Sequence, residues 1–226
     1  MTEISRASAY PKSVQPGLPR LGITPPGWSC GPLSAHLYEE IRPLKLADDE
    51  IYDLVTVKRS RGGVVLRERL NGKKIAVKSQ FRLEAGDFLI SKRQIVHGAC
   101  GIVPPELSGA IVSNEYAVLR AHPSLDLQFL NCLAHSIYFQ QTCFHSSIGV
   151  HVEKMIFKLE EWLKWDFNLP PPNEQRRIAE ILSTWDGAIE TVEAKLAALR
   201  QEKAALMQQL LTGKLQGGKP AESEAA

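Results

Sequence analysis

From Ile178 to Leu210 apolar residues return every three or four positions, and no other feature restricts this chain so strongly. With Ile178 as a d position, the a and d series is Ile178, Leu182, Trp185, Ile189, Val192, Leu196, Leu199, Lys203, Leu206 and Leu210, nine of ten apolar over more than four heptads. That is the pattern of a coiled-coil seam, and a helix so long has no core of its own and must lie against a partner. Pro170 to Pro172 cannot continue a helix, Asn173 is the expected N-cap with Glu174 and Gln175 in the first turn, and Gly213 with Lys214 supplies the stop. A helix from Glu174 to Thr212 is expected to be roughly 58 Å long at about 1.5 Å per residue. Lys203, the single polar position of the series, is the kind of residue that fixes register between helices. An ordinary amphipathic helix docked on its own domain is the alternative, but it needs far fewer turns.

The 226 residues hold one sizeable core besides this helix. With 44% hydrophobic and 23% charged residues, the composition is that of a globular protein rather than a disordered one. No run approaches the roughly 20 apolar residues of a membrane span, and MTEISRASAY lacks the apolar centre of a signal peptide, so a cytoplasmic location is expected. Cys30, Cys100, Cys132 and Cys143 are scattered without a paired framework and read as reduced thiols.

A net charge of +2 hides an uneven distribution. Between Thr56 and Gln94 there are eleven basic residues against three acidic ones, whereas the first 55 residues hold five against seven and Pro170 to Gln216 six of each. A local basic surface on a near-neutral body is the footprint of a phosphate-backbone binder, although a charge run can also be only a solvated face.

Residues 1–23, with Pro11, Pro16, Gly17 and Pro19, read as a loose leader. The body begins near Thr24-Pro-Pro-Gly-Trp28 with an amphipathic stretch over Leu33 to Ile41. Strands are expected at Ile51 to Val57, Gly63 to Leu66, Lys74 to Val77 after an Asn71-Gly72 turn, Asp87 to Ile90 and Ala110 to Ser113. From Ser124, a candidate N-cap, residues Leu127, Leu130, Leu133, Ala134, Ile137 and Tyr138 recur at helical spacing. A turn at Ser146 to Gly149 and a strand over Leu163 to Leu169 lead to the prolines. The expected fold is a mixed α/β, or α+β, domain over 24–169, a long coiled-coil helix over 170–216 and a disordered tail over 217–226.

The residues at both ends of the helix resemble a known family. Leu169-Pro-Pro-Pro-Asn-Glu174-Gln175-Arg-Arg-Ile178-Ala179-Glu-Ile-Leu182, Trp185-Asp186 and the closing Lys203-Ala-Ala-Leu-Met207-Gln-Gln-Leu-Leu-Thr-Gly213-Lys214 resemble the spacer helix of specificity subunits of type I restriction-modification systems. Pro26-Gly27-Trp28, Gly86-Asp87-Phe88-Leu89-Ile90-Ser91, Gly109 to Tyr116 and Gly149 resemble, more weakly, that family's target recognition domain. Full-length members carry two such domains and two helices in tandem; this chain has one of each. The resemblance implies a non-catalytic half-subunit that dimerises, as a homodimer reading a bipartite inverted repeat in double-stranded DNA, or else with a different half-subunit. It also implies docking of methyltransferase subunits, which bind S-adenosylmethionine, and through them a restriction subunit. An antiparallel pair of helices would act as a ruler of at most about 17 base pairs at ~3.4 Å rise.

Major-groove readout uses Arg or Lys for guanine and Asn or Gln for adenine. Arg59, Arg61, Gln80, Arg93 and Gln94 are therefore the candidate base readers, and Lys58, Lys73, Lys74, Lys78 and Lys92 the candidate phosphate contacts, with His145-Ser146-Ser147 as a later loop. His97 to Cys100, Cys132 to His135 and Cys143 to His145 have spacings that zinc ligands use, but Cys132 and His135 fall in a helical stripe and read as core, so no metal is expected. No glycine-rich phosphate loop, His-Glu-x-x-His or Asn-Pro-Pro-aromatic motif occurs. A second reading is a coiled-coil adaptor whose basic face only keeps it dispersed. Steep loss of DNA affinity with salt separates the two.

Overall fold

A computed structural model describes residues 17–213. Most of the expected leader and all of the expected tail lie outside them. The chain divides into two compact units, Met1–Ala179, the head, and Glu180–Ala226.

The head begins with β1 (Ser29–Pro32), β2 (Leu37–Glu39), β3 (Pro43–Leu44), β4 (Ile51–Val57), β5 (Val64–Asn71), β6 (Gln80–Arg82) and β7 (Phe88–Ser91). It continues through β8 (Cys100–Ile102), β9 (Ile111–Ser113), β10 (Tyr116–Ala121), α1 (Leu127–Leu133), α2 (Ile137–His145), β11 (Ser147–Ile148), β12 (Ile156–Phe157), α3 (Leu159–Trp162) and β13 (Asp166–Leu169). The last helix, α4 (Pro172–Leu211), starts in the head and runs on into the second unit. One sheet has the order β2-β10-β7-β8 and another β3-β6-β9-β4-β5, with β4 and β9 parallel and every other pair antiparallel. Two ribbons, β1-β13 and β11-β12, complete the head.

Alternation along the strands builds the layers. In β7, Phe88 and Ile90 face a core shared with Phe129, Leu130, Phe139 and Trp162, while Leu89 faces Val55, Val57 and Val112. β10 does the same with Ala117 and Leu119 on one side and Val118 on the other. The four-stranded sheet is thus covered on both faces, by helices and by the second sheet, which explains why Phe88–Ser91 is an uninterrupted buried run. β4 turns Tyr52 and Leu54 to the far side, against Ile75 and Ile111. A bulge between Leu54 and Val55 leaves Arg67 as the extra residue of β5, the edge strand.

Two buried polar side chains of this core are well satisfied. Asp87, fully buried, accepts from Arg42 Nη1 at 2.8 Å and Nη2 at 3.1 Å, from Arg120 Nε at 2.5 Å and from the Glu84 N–H at 2.8 Å. Trp162 donates to Thr142 Oγ1 at 3.1 Å. β1 pairs antiparallel with β13, so the two ends of the head close on each other, and Asn168 in β13 holds Thr24 and the Gly22 carbonyl.

Several expectations fail here for local reasons. Lys74 to Val77 is not a strand. A 3-10 turn at Gly72–Lys74 packs so tightly that a Cβ on Gly72 would sit 2.0 Å from the Ala47 carbonyl oxygen, and the strand begins only at Gln80. The stripe from Leu127 to Tyr138 is two helices, because Ser136 caps a second one at the Phe139 N–H; the first is capped by Asp126, and Ser124 instead lies 2.8 Å from His36 Nδ1. Asn173 sits inside the first turn of α4 rather than capping it.

Gln175, fully buried, and Ala179 join α4 to the head, and Ile178, expected on the seam, packs partly buried against the head core. Within the second unit every residue from Glu180 to Leu211 is exposed, including Leu182, Trp185, Ile189, Val192, Lys203 and Leu206. Leu196, Leu199 and Leu210 are 45%, 52% and 48% exposed. The helix ends where expected, with Gly213 in the left-handed region and its N–H on the Leu210 carbonyl. No helix among the described residues is long and apolar enough to cross a membrane.

Candidate nucleic-acid interface

The β4–β5 hairpin decides where the basic residues go. Val57 pairs with Val64 at its closed end and Ile51 with Asn71 at its open end, roughly 20 Å apart at ~3.3 Å per residue. Lys58, Arg59 and Arg61 therefore belong to the closed end and Lys73, Lys74 and Lys78 to the open end. These six candidates fall at opposite ends of the hairpin, with Arg67 and Arg69 of β5 between them.

At the closed end Ser60 and Arg61 both adopt left-handed backbone, with φ of 57° and 58°. Such a conformation is costly for residues with side chains and persists only when clamped. The clamp is main-chain: the Ser60 N–H donates to the His97 carbonyl and the Arg61 N–H to the Gly98 carbonyl, both at 2.7 Å. Gly98 is itself left-handed, with φ of 76°, and a Cβ there would also come within 2.8 Å of Arg61 Nη1, so glycine suits this approach.

This clasp presents Arg59. Its Nε donates to Gln94 Oε1 at 2.9 Å and its Nη2 to Glu153 Oε2 at 2.9 Å, with both partners of the ion pair more than half exposed. Glu153 Oε1 also lies 3.1 Å from His97 Nε2, although that nitrogen makes no hydrogen bond. Burial, with the neighbouring Arg59 charge second, lowers the His97 pKa; Glu153 opposes them. Glu153 stands on a 3-10 turn (Val152–Lys154) between β11 and β12, and the Phe157 N–H donates to the Lys92 carbonyl at 2.8 Å, binding that ribbon to the 92–94 loop. Arg93 pairs with both oxygens of Glu115, and Lys92 Nζ lies 3.6 Å from Glu39. Three chain-distant segments, 58–63, 92–98 and 151–154, are thereby one surface.

Other candidate residues are disposed differently. Arg61 is turned inward: its Nε is buried without a hydrogen-bond partner, and its charge acts on Cys100, whose thiol burial pushes up to about 12. Gln80 is 4% exposed, donates to the Val77 carbonyl at 2.8 Å, and does not offer its amide to a ligand at the surface. Lys78 donates to the Gly72 carbonyl at 2.9 Å, while Lys74 lines a cleft of about 260 Å³ with Gln80, Ser113 and Tyr116. In the later loop, Ser146 accepts from Trp165 Nε1 and Ser147 donates to the Cys143 carbonyl, so both hydroxyls face inward. Cys100 and Cys143 are core residues, and among the described residues no group of three or more His, Cys, Asp or Glu is arranged to hold a metal ion.

Glu153 was missed by sequence reasoning, because a carboxylate 94 positions from Arg59 carries no local signal, and His97 stood out there only for its spacing to Cys100. Acidic partners also explain why the local charge excess overstates the positive surface: Arg59, Arg67, Arg69, Lys92 and Arg93 each have one.

Comparison with known proteins agrees with this architecture. The chain is similar over 88% of its length, at 20% identity and a TM-score of 0.64, to the HsdS subunit from Thermoanaerobacter tengcongensis, of which it spans 52%. A structure concerned with complex assembly and conformational transition of the type I R-M system gives the same TM-score of 0.64 at 20% identity, over 90% of this chain and 53% of that one. The type I restriction-modification S subunit from M. genitalium gives 0.53 at 12% identity, over 90% of this chain and 49% of that one. The chain thus spans about half the length of the solved structures it resembles, and at these identities the likeness is one of fold. None of the curated proteins matches. The family model for the type I restriction modification DNA specificity domain matches residues 42–201, well over half of the sequence, and the chain belongs to that family.

Proposed function

We propose that this chain is a DNA-recognition subunit of a type I restriction-modification complex, reading one half-site through its head and joining a second head through α4. The observation that carries the reading is the clasp at the closed end of the β4–β5 hairpin, which presents Arg59, Gln94 and Arg93 together on loops rather than scattered along an edge strand. Arg59 and Arg93 supply the donor forks that guanine accepts, and Gln94 the paired donor and acceptor that adenine needs. Lys58 and Lys92 flank them and contact phosphates, which position the head without reading sequence. Lys73, Lys74 and Lys78 make a separate phosphate contact. Arg61 and Gln80 support the fold of this face instead of touching bases.

In the free head each arginine rests on a carboxylate. DNA replaces Glu115 on Arg93 with base acceptors, an exchange of one charge-assisted hydrogen bond for another, while Arg59 meets the groove still held by Glu153, so both forks arrive already oriented. The exposed seam from Leu182 to Leu210 supports pairing with a second copy or another half-subunit, and docking of methyltransferase subunits that carry S-adenosylmethionine, with a restriction subunit beyond them. From Glu180 to Leu211 the helix is about 48 Å long at ~1.5 Å per residue, the scale of a spacer between two DNA contacts. The subunit itself does no chemistry in this reading.

The test is selection of binding sites from random double-stranded DNA by the full chain, followed by titration across salt concentrations. A recurrent motif and a steep fall in affinity between low and moderate salt are expected. Weak, salt-insensitive binding with no motif would favour the coiled-coil adaptor.

A further inference from the structure

We infer that Glu153 is a specificity-determining residue, whose carboxylate reads the exocyclic amine of a cytosine beside the guanine read by Arg59. The inference rests on the reading of these loops as the DNA interface. An acidic side chain in such a surface repels phosphates, and a specific partner offsets that cost. A carboxylate only accepts hydrogen bonds, and with two oxygens it has about four acceptor sites. Here Oε2 uses one on Arg59, and the side chain is 62% exposed, so capacity remains toward an incoming ligand.

Base edges discriminate sharply against such a group. Guanine O6 and N7 and thymine O4 are acceptors and repel it, and the adenine amine has the acceptor N7 beside it; cytosine N4 offers a donor without that neighbour. Arg59, which only donates, has the opposite requirement. Held 2.9 Å apart, the two side chains form a donor-acceptor couple matching the two acceptors and one donor that a G·C pair shows in the major groove.

The carboxylate is held in place by its loop as well as by Arg59. Ser147 pairs with Phe157 and Ile148 with Ile156, closing both ends of the loop. The Lys154 N–H donates to the His151 carbonyl at 2.8 Å, and a Cβ on Gly149 would meet the Met155 Cα at 2.9 Å, so the chain crosses itself closely below the turn. A reader needs such support, because a loose carboxylate would accept from any donor within reach.

The experiment compares site selection by the full chain with that by Glu153→Gln, Arg59→Ala and the double variant, each checked for an unchanged melting temperature. The native chain is expected to enrich a G·C pair at one position. Glu153→Gln, which restores a donor beside the acceptor, should lower the preference for cytosine there ~10-fold and admit adenine. In the Arg59→Ala background the cytosine preference should persist, and the double variant should lose it. If Glu153→Gln enriches the native motif with uniformly higher affinity, the carboxylate merely repels phosphate and the inference is overturned. It is equally overturned if Glu153→Gln has no further effect once Arg59 is gone, since Glu153 then only positions Arg59. Absence of any motif with the native chain would overturn the DNA-interface reading itself.

Discussion

Gln175, in the first turn of α4, accepts a hydrogen bond from the main-chain N–H of Asp126 at 2.8 Å, and Asp126 is itself the N-cap of α1. One buried amide therefore ties the start of the last helix to the start of the first. Its Nε2 donates to the Ser124 and Pro170 carbonyls at 2.9 and 2.8 Å, so all three partners depend on it. Gln175→Ala strands a donor and two acceptors in the interior and is expected to cost about 3 kcal/mol. Urea unfolding followed by tryptophan fluorescence measures this. Gln175→Glu should be nearly as damaging, because it keeps the acceptor but removes both donated bonds.

Asp87 is a second buried hub, between Arg42 and Arg120. Asp87→Ala leaves the two guanidinium groups with only the more exposed Glu84 carboxylate in common and is expected to destabilise the head by about 3 kcal/mol, the low end of the range for breaking a buried pair from one side. Thermal melting should show the loss.

The seam predicts a different phenotype. Leu196→Asp with Leu199→Asp alters only side chains exposed in the single chain, so near-ultraviolet circular dichroism of the head should not change, while the mass by light scattering should fall to that of one chain. A mass equal to that of the native protein would count against pairing through this stripe.

Separation of the hairpin's two ends is measurable through salt. Arg59→Ala should weaken binding to the selected site by ~1 to 3 kcal/mol while hardly changing affinity for random DNA. Lys73→Ala with Lys74→Ala should weaken both equally and reduce the salt slope by about 1 for each phosphate no longer neutralised. Gln80→Leu, altering a buried group, should change neither in a head that remains folded.

Stability should fall on acidification for a reason located in two histidines. His97 has its pKa lowered by burial and then by Arg59, and His36 by burial and then by His122. In both cases the unfolded chain binds the proton more readily, so stability is complete above the unfolded value of ~6.5 and declines as pH drops below it toward the folded value. Melting temperatures at pH 7.5 and 5.5 should differ by less in His97→Gln than in the native chain.

Much of the framework is legible along the chain. β4 runs over Ile51–Val57 as its alternation requires, and Gly213 ends the last helix as its backbone freedom allows. Local patterns succeed where one neighbourhood decides the outcome. They fail at Lys74–Val77, where the approach of Ala47 to Gly72 sets the backbone, and at Ala134–Ser136, where a second cap interrupts an apolar stripe that by spacing alone could continue.

Sequence alone determined that apolar residues recur at heptad spacing along the last helix and that positive charge concentrates between Thr56 and Gln94, because heptad spacing and composition are properties of the chain itself. Tertiary structure decided that Ile178 faces the head core, that the basic run spreads along the length of a hairpin, and that Arg59 meets Gln94 and Glu153. Side chains far apart in sequence meet only when strands and loops are folded together. A charge count along the chain cannot register the carboxylates that the fold brings to each cation.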